Sequence, residues 1–197
     1  MPIPRRTLLS VAIMGLALPA VAAAEDARKA ERSLGSAGAT QTVTEWFSLT
    51  CSHCAAFALQ TLPEIQARWI APGKLRWVFH DLPTDQTALL AAQVARYLPP
   101  DRYDAFLNAL FASQDRWAFS SAGHPEEQLW NLAKAAGMER STFDKATADT
   151  DLRNWILAQA MDAEKRWHVD ATPSFLVNGK LYAGAMTASQ FAGILAS

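Results

Sequence analysis

The chain has little of what usually makes a sequence easy to place. It has no internal repeat, no low-complexity tract, only two cysteines and only four histidines in 197 residues. Net charge is nearly absent too, at −1 from 18 basic and 19 acidic residues. Each shortage excludes something. A balanced charge is no footprint for nucleic acid or for an anionic membrane. The histidines fall singly at positions 53, 80, 124 and 168. Two cysteines make half of a structural zinc site, which needs four ligands. No metal and no cofactor are therefore expected. A structural staple is a poor use of the pair as well, because closing a four-residue loop removes only about 2 kcal/mol of unfolded-state entropy.

What is present begins at the N-terminus. Arg5 and Arg6, with no acid nearby, precede an apolar run over residues 7–18, then Pro19 and small residues up to Ala24. A positive n-region, an apolar h-region and A-x-A spacing read as a secretory signal peptide over residues 1–24. The arginine pair ahead of Leu8 and Leu9 fits an ordinary n-region or, in part, a twin-arginine signal, so the Sec and twin-arginine routes both stay open. An uncleaved anchor is the third option, and Pro19 and the alanine run speak against it. Losing Arg5 and Arg6 takes the charge to −3. Half the residues are hydrophobic, with seven tryptophans and nine phenylalanines, enough for a real core in the exported chain.

Residues 25–38 are polar and Gly/Ser-rich and read as a loose arm. Residues 43–49 (VTEWFSL) read as a strand. From Cys51 the pattern turns helical, with Phe57, Leu62, Ile65 and Trp69 near 3.6 spacing and a kink at Pro63. Pro72-Gly73 turns the chain into a second strand over residues 74–80, making a βαβ unit with parallel strands. Helical stretches follow at residues 86–98, 101–114, from Pro125 to about Gly137, from a loose capping box at residues 141–144, and over 151–167. Their apolar stripes are most simply core packing. A strand over residues 173–177, an Asn178-Gly179 hairpin turn, a returning strand at 180–182 and a helix at 187–195 close the chain.

The two cysteines lie in Thr50-Cys51-Ser52-His53-Cys54-Ala55. Redox exchange needs one exposed, acidic thiol next to a resolving partner. Cys51 falls where the strand ends and the helix begins, where free N–H groups and the helix dipole favour a thiolate. His53 can add charge or a hydrogen bond to the same sulfur, and Cys54 lies one turn deeper. Glu45 interrupts an apolar strand; a buried carboxyl there would have a raised pKa and could relay a proton to Cys54, whereas a solvated strand end would leave it idle. Thr172-Pro173 opens a strand with no ladder donor, and X-Pro is the cheap route to a cis bond, with a trans strand start as the plain alternative.

Three segments taken in order, Glu45 to Cys54, Val78 to Pro83 and Ala171 to Gly179, resemble the DsbA branch of the thioredoxin superfamily over nearly all of the exported chain. The resemblance implies an α/β thioredoxin fold with an inserted all-helical domain. It places the thioredoxin domain at residues 39–83 and 167–197 and the helical insertion at 84–166. It implies a monomeric periplasmic thiol:disulfide oxidoreductase, a dithiol oxidase acting on cysteine-containing exported proteins and reoxidised by a membrane quinone-linked, DsbB-like partner. By position it makes Cys51 the nucleophile, Cys54 the resolving thiol, His53 the thiolate stabiliser, Glu45 the buried acid and Pro173 the cis-proline beside Thr172. Ser52 stands where the commonest oxidase motif has proline, and Thr172 where the best-known oxidases have valine. A reductase or isomerase, or a redox-inactive chaperone or binding module on the same fold, stays open.

Overall fold

The computed structural model describes residues 26–120 and 124–196, so the expected signal peptide lies outside the described residues. A five-stranded sheet in the order β1-β3-β2-β4-β5 forms the frame. Its strands are β1 (Arg32–Leu34), β2 (Gln41–Phe47), β3 (Leu75–Asp81), β4 (Ser174–Val177) and β5 (Lys180–Ala183). β2 pairs parallel with β3 over Gln41–Phe47, the βαβ unit anticipated from the pattern, and antiparallel with β4. The Asn178-Gly179 turn, both residues at positive φ, folds β5 back on β4.

Because side chains alternate, Val43, Glu45 and Phe47 share one face of β2, and register sets Trp77, Phe79, Phe175 and Val177 beside them. On that face Phe57, Trp77, Phe175 and Phe191 pack ring to ring, with centroids 4.7 to 5.8 Å apart. The opposite face carries Trp46, which packs with Ala163 and Val169 in a smaller cluster. Burial on both faces explains why β3 does not alternate cleanly: Val78 is buried like its neighbours Trp77 and Phe79.

The helical run after Cys51 is continuous from Ser52 to Ile70 but not uniform. α1 (Ser52–Ala56) passes into a π-helical turn (Phe57–Thr61), then α2 (Leu62–Ile65) and a second π-helical turn (Gln66–Ile70). Pro63, which lacks an N–H, falls in the first turn of α2, and Leu62 N–H bonds five residues back to Phe57. The expected kink is thus taken up as a widened turn. Between β3 and β4 lie α3 (Gln86–Arg96), α4 (Pro100–Ala112), α5 (Gln114–Trp117), α6 (Pro125–Ala135), α7 (Arg140–Ala148) and α8 (Thr150–Trp167). α9 (Ala188–Leu195) follows the hairpin, capped by a Thr187–Gln190 capping box.

Two expectations need correction. The polar arm is not loose throughout: Arg32–Leu34 pairs antiparallel with β3 as an edge strand. Buried Arg32 donates to the carbonyls of Arg96 and Leu98, and Arg28 pairs with Asp26 and Asp149. Polar composition concealed this because the anchors are themselves charged. The capping box at residues 141–144 does not form either, since Glu139 is the N-cap of α7 and Asp144 instead pairs with Arg140 at 2.8 Å.

Candidate functional site

Cys51 is the N-cap of α1, with φ −79° and ψ 118°. This extended conformation turns its Sγ back over the first helical turn, where it accepts from the Cys54 N–H at 3.4 Å. Both cysteines are free; Cys51 is partly exposed and Cys54 fully buried. As a thiol, Cys51 donates to the Thr172 carbonyl at 3.3 Å. The Thr172–Pro173 peptide bond is cis, and the loop it forms lies directly against the Cys51 sulfur.

These contacts pull the two thiols apart electrostatically. Cys51 is lowered to about 5, chiefly by a hydrogen bond from Cys54, against the cost of partial burial, with further hydrogen bonds from the Thr172 side chain and the Cys54 and His53 backbones. Cys54 is driven strongly upward, first by burial, then by its bond to Cys51, and in part by the charge of Glu45. A single proton therefore serves the pair, and Cys54 keeps it. His53 reaches Cys51 through its backbone N–H, and its side chain is exposed. The helix start aims successive N–H groups at one point, so this contact needs no particular side chain.

Glu45 is buried at 3% exposure in the middle of β2. Its carboxylate accepts from Trp77 Nε1 at 2.8 Å. Burial pushes its pKa to about 8, with Trp77 opposing and Asp104 adding to the shift. A carboxyl poised this close to neutrality can hold or release a proton beside Cys54.

Other residues belong to the site that the sequence did not point to. Trp77 lies 32 residues from the acid it holds. Thr50, next to the nucleophilic position, donates to Asp85 at 2.5 Å, and Asp85 in turn caps α3. Gln114 donates from Nε2 to the carbonyls of Leu49 and Cys51 at 2.8 and 3.2 Å. Nothing local in the chain marks them; only the fold brings them to the cysteines. Among the described residues there is no cluster of three or more His, Cys, Asp or Glu able to hold a metal ion.

Fold and site together define a thioredoxin-fold protein with a CxxC dithiol, a facing cis-proline loop and helices inserted between its third and fourth strands. The chain belongs to the thioredoxin family: the family model described as Thioredoxin matches residues 27–197. Its structural neighbours are DsbA proteins. α-DsbA1 of Wolbachia pipientis superposes with a TM-score of 0.78 at 24% identity, over 84% of this chain and 89% of that one. A protein-disulfide isomerase from Novosphingobium aromaticivorans superposes at 0.73 and 25% identity, over 84% and 96%. Among curated proteins, a Rickettsia prowazekii relative provisionally named a protein-disulfide oxidoreductase is 27% identical over 147 residues, 74% of this chain and 53% of its own. The chain spans about half the length of the curated relatives it matches.

Proposed function

We propose that this chain is a periplasmic thiol:disulfide oxidoreductase that works as a dithiol oxidase on cysteine-containing exported proteins. The observation that carries the reading is the pairing of a partly exposed, acidified Cys51 with a buried, proton-retaining Cys54. In the oxidised enzyme a client thiolate attacks Cys51 Sγ, the Cys51–Cys54 bond breaks, and Cys54 leaves with the electron pair. Its raised pKa means that it takes up a proton at once, and Glu45 is the nearby group suited to supply it. A second client thiolate then attacks the client sulfur of the mixed disulfide and expels Cys51 as a stabilised thiolate. The client ends oxidised and the enzyme reduced by two electrons.

In this scheme His53 and Thr172 stabilise the Cys51 thiolate, and Pro173 holds the Thr172 backbone where an extended client segment can pair with it. Reoxidation falls to a membrane quinone-linked, DsbB-like partner. An easily formed thiolate favours the reduced enzyme, so the potential is expected to be less negative than about −200 mV. Equilibration with glutathione buffers measures it. The same mechanism assigns trapping: Cys54→Ser accumulates mixed disulfides with clients through Cys51, and Cys51→Ser does not.

A second reading, reductase or isomerase, is favoured by Thr172 ahead of the cis-proline and by the isomerase name of one neighbour. A potential near −270 mV, about that of thioredoxin, together with rapid insulin reduction, would decide for it. Binding of unfolded protein that survives Cys51→Ser without any exchange activity would point instead to a chaperone.

A further inference from the structure

Gln114 opens the short helix α5 with its side chain turned inward, 6% exposed. Its single amide nitrogen serves two acceptors, the Leu49 carbonyl at 2.8 Å and the Cys51 carbonyl at 3.2 Å. These carbonyls flank Thr50 and bracket the turn from β2 into α1. The Cys51 carbonyl also accepts the first helical bond of α1, from Ala55 N–H at 3.1 Å. Between the two carbonyls, Thr50 is held from its side chain by Asp85 at the start of α3. The catalytic turn is therefore gripped from outside the sheet, by side chains of the helical insertion.

We infer that Gln114 is a positioning residue for Cys51, through which the helical insertion sets the acidity of the thiol. The inference rests on the reading of Cys51 as the exchanging sulfur. A peptide unit is planar, so fixing the Cys51 carbonyl fixes the Ser52 N–H at the other end of the same plane. That plane starts the array of N–H groups behind Cys51 Sγ, including those of His53 and Cys54. Released, the turn can tilt, and the sulfur loses donors. The amide also turns its positive end toward two carbonyl oxygens, giving the Leu49 carbonyl a donor and the Cys51 carbonyl a second one beside the Ala55 N–H.

The chain contains its own control. Gln93 in α3 is also buried, at 3% exposure, and its Nε2 likewise donates to two carbonyls, those of Ala146 and Asp149, both at 3.0 Å. Gln114→Met and Gln93→Met remove the same kind of double donor, one beneath Cys51 and one away from it. In a Cys54→Ala background, thiolate absorbance is titrated against pH and alkylation by iodoacetamide is timed near the midpoint. Gln114→Met is expected to shift the Cys51 thiol–thiolate equilibrium toward the thiol about three- to tenfold, the scale of one net hydrogen bond, with alkylation slowed in step. Gln93→Met is expected to lower thermal stability and leave the Cys51 titration where it was. If Gln114→Met does not fold, Gln114→Asn keeps the amide and shortens its reach by one methylene, and should shift the titration in the same direction.

An unmoved Cys51 pKa in the folded Gln114 variant, or an equal shift in Gln93→Met, overturns the inference. The titration uses no client and no partner. A wild-type chain that failed to oxidise peptides would sink the proposed function and not this assignment.

Discussion

Cys51 gives up its proton near pH 5 and Cys54 keeps its own, although the two belong to one turn of one helix. The difference is local: one sulfur faces N–H and O–H donors at a helix start, and the other faces the core. Thr172 contributes a hydroxyl to the first of these environments. Thr172→Val keeps the shape and removes the donor, so the Cys51 pKa should rise by about one to two units, the equivalent of the roughly 1.5–3 kcal/mol of a hydrogen bond to a charged group. Thiolate absorbance reads it, and an unchanged titration would mean that the hydroxyl serves its own backbone. Glu45 works in the opposite sense. Its folded pKa of about 8 against an ordinary 4.5 means that the folded state holds a proton the unfolded state has lost. Stability therefore falls as pH rises from about 4.5 to 8, and Glu45→Gln should remove that loss, worth on the order of 4 kcal/mol at pH 8 and above. Denaturant unfolding of both proteins across that range checks it; parallel pH profiles would show a carboxylate that is not desolvated. The cysteines, Glu45, Thr172 and Pro173 could be picked out in the sequence because each is costly or unusual where it stands. Trp77 and Gln114 could not: an indole in a strand and a glutamine near a helix end are ordinary, and their work depends on partners 32 to 65 residues away.

β1 shows what periodicity alone misses among the elements. It is three residues long, too short for any period, and it is followed at once by a glycine in the left-handed region. Gly35 ends it at φ +86°, and a Cβ there would lie 2.5 Å from the Leu75 carbonyl. Gly73 has a similar φ of +77° but open space around it. Gly73→Ala should cost about 1 kcal/mol, the left-handed conformation only. Gly35→Ala should cost about 2–4 kcal/mol, since backbone must also move. Equal losses in denaturant unfolding would show that β1 yields easily. The long elements were legible because each carries a stripe or an alternation backed by a boundary residue: Pro125 opening α6, Asn178-Gly179 turning β4 into β5, Thr187 capping α9. The widened turns around Pro63 were not legible as such, since a proline in a helical pattern announces a disturbance without saying whether the helix bends or widens.

On the scale of the whole molecule, the insertion and the sheet are fastened around charges rather than across an apolar seam alone. Arg96 of α3 pairs with Asp81 of β3 at 2.5 Å, both buried, and its guanidinium lies over Trp155 of α8. The redox state of the dithiol is linked to the stability of the whole fold through the proton that Cys51 gives up, and pH exposes it. The reduced form should gain stability as pH rises from about 5 toward 9, because folded Cys51 has lost a proton that unfolded Cys51 still holds. Allowing for solvent screening at a partly exposed sulfur, this amounts to about 1–2 kcal/mol at pH 7. The oxidised form has no such slope, but its closed four-residue loop favours it by about 2 kcal/mol at any pH. The two terms oppose each other. At pH 5 the oxidised protein should unfold at the higher denaturant concentration, and the gap should close through neutrality and reverse toward pH 9. Glu45 imposes a contrary slope on both forms, so the comparison is cleanest in Glu45→Gln. A gap that stayed constant from pH 5 to 9 would mean that the folded thiol is not acidified, and the case for an oxidising dithiol would lose its physical basis.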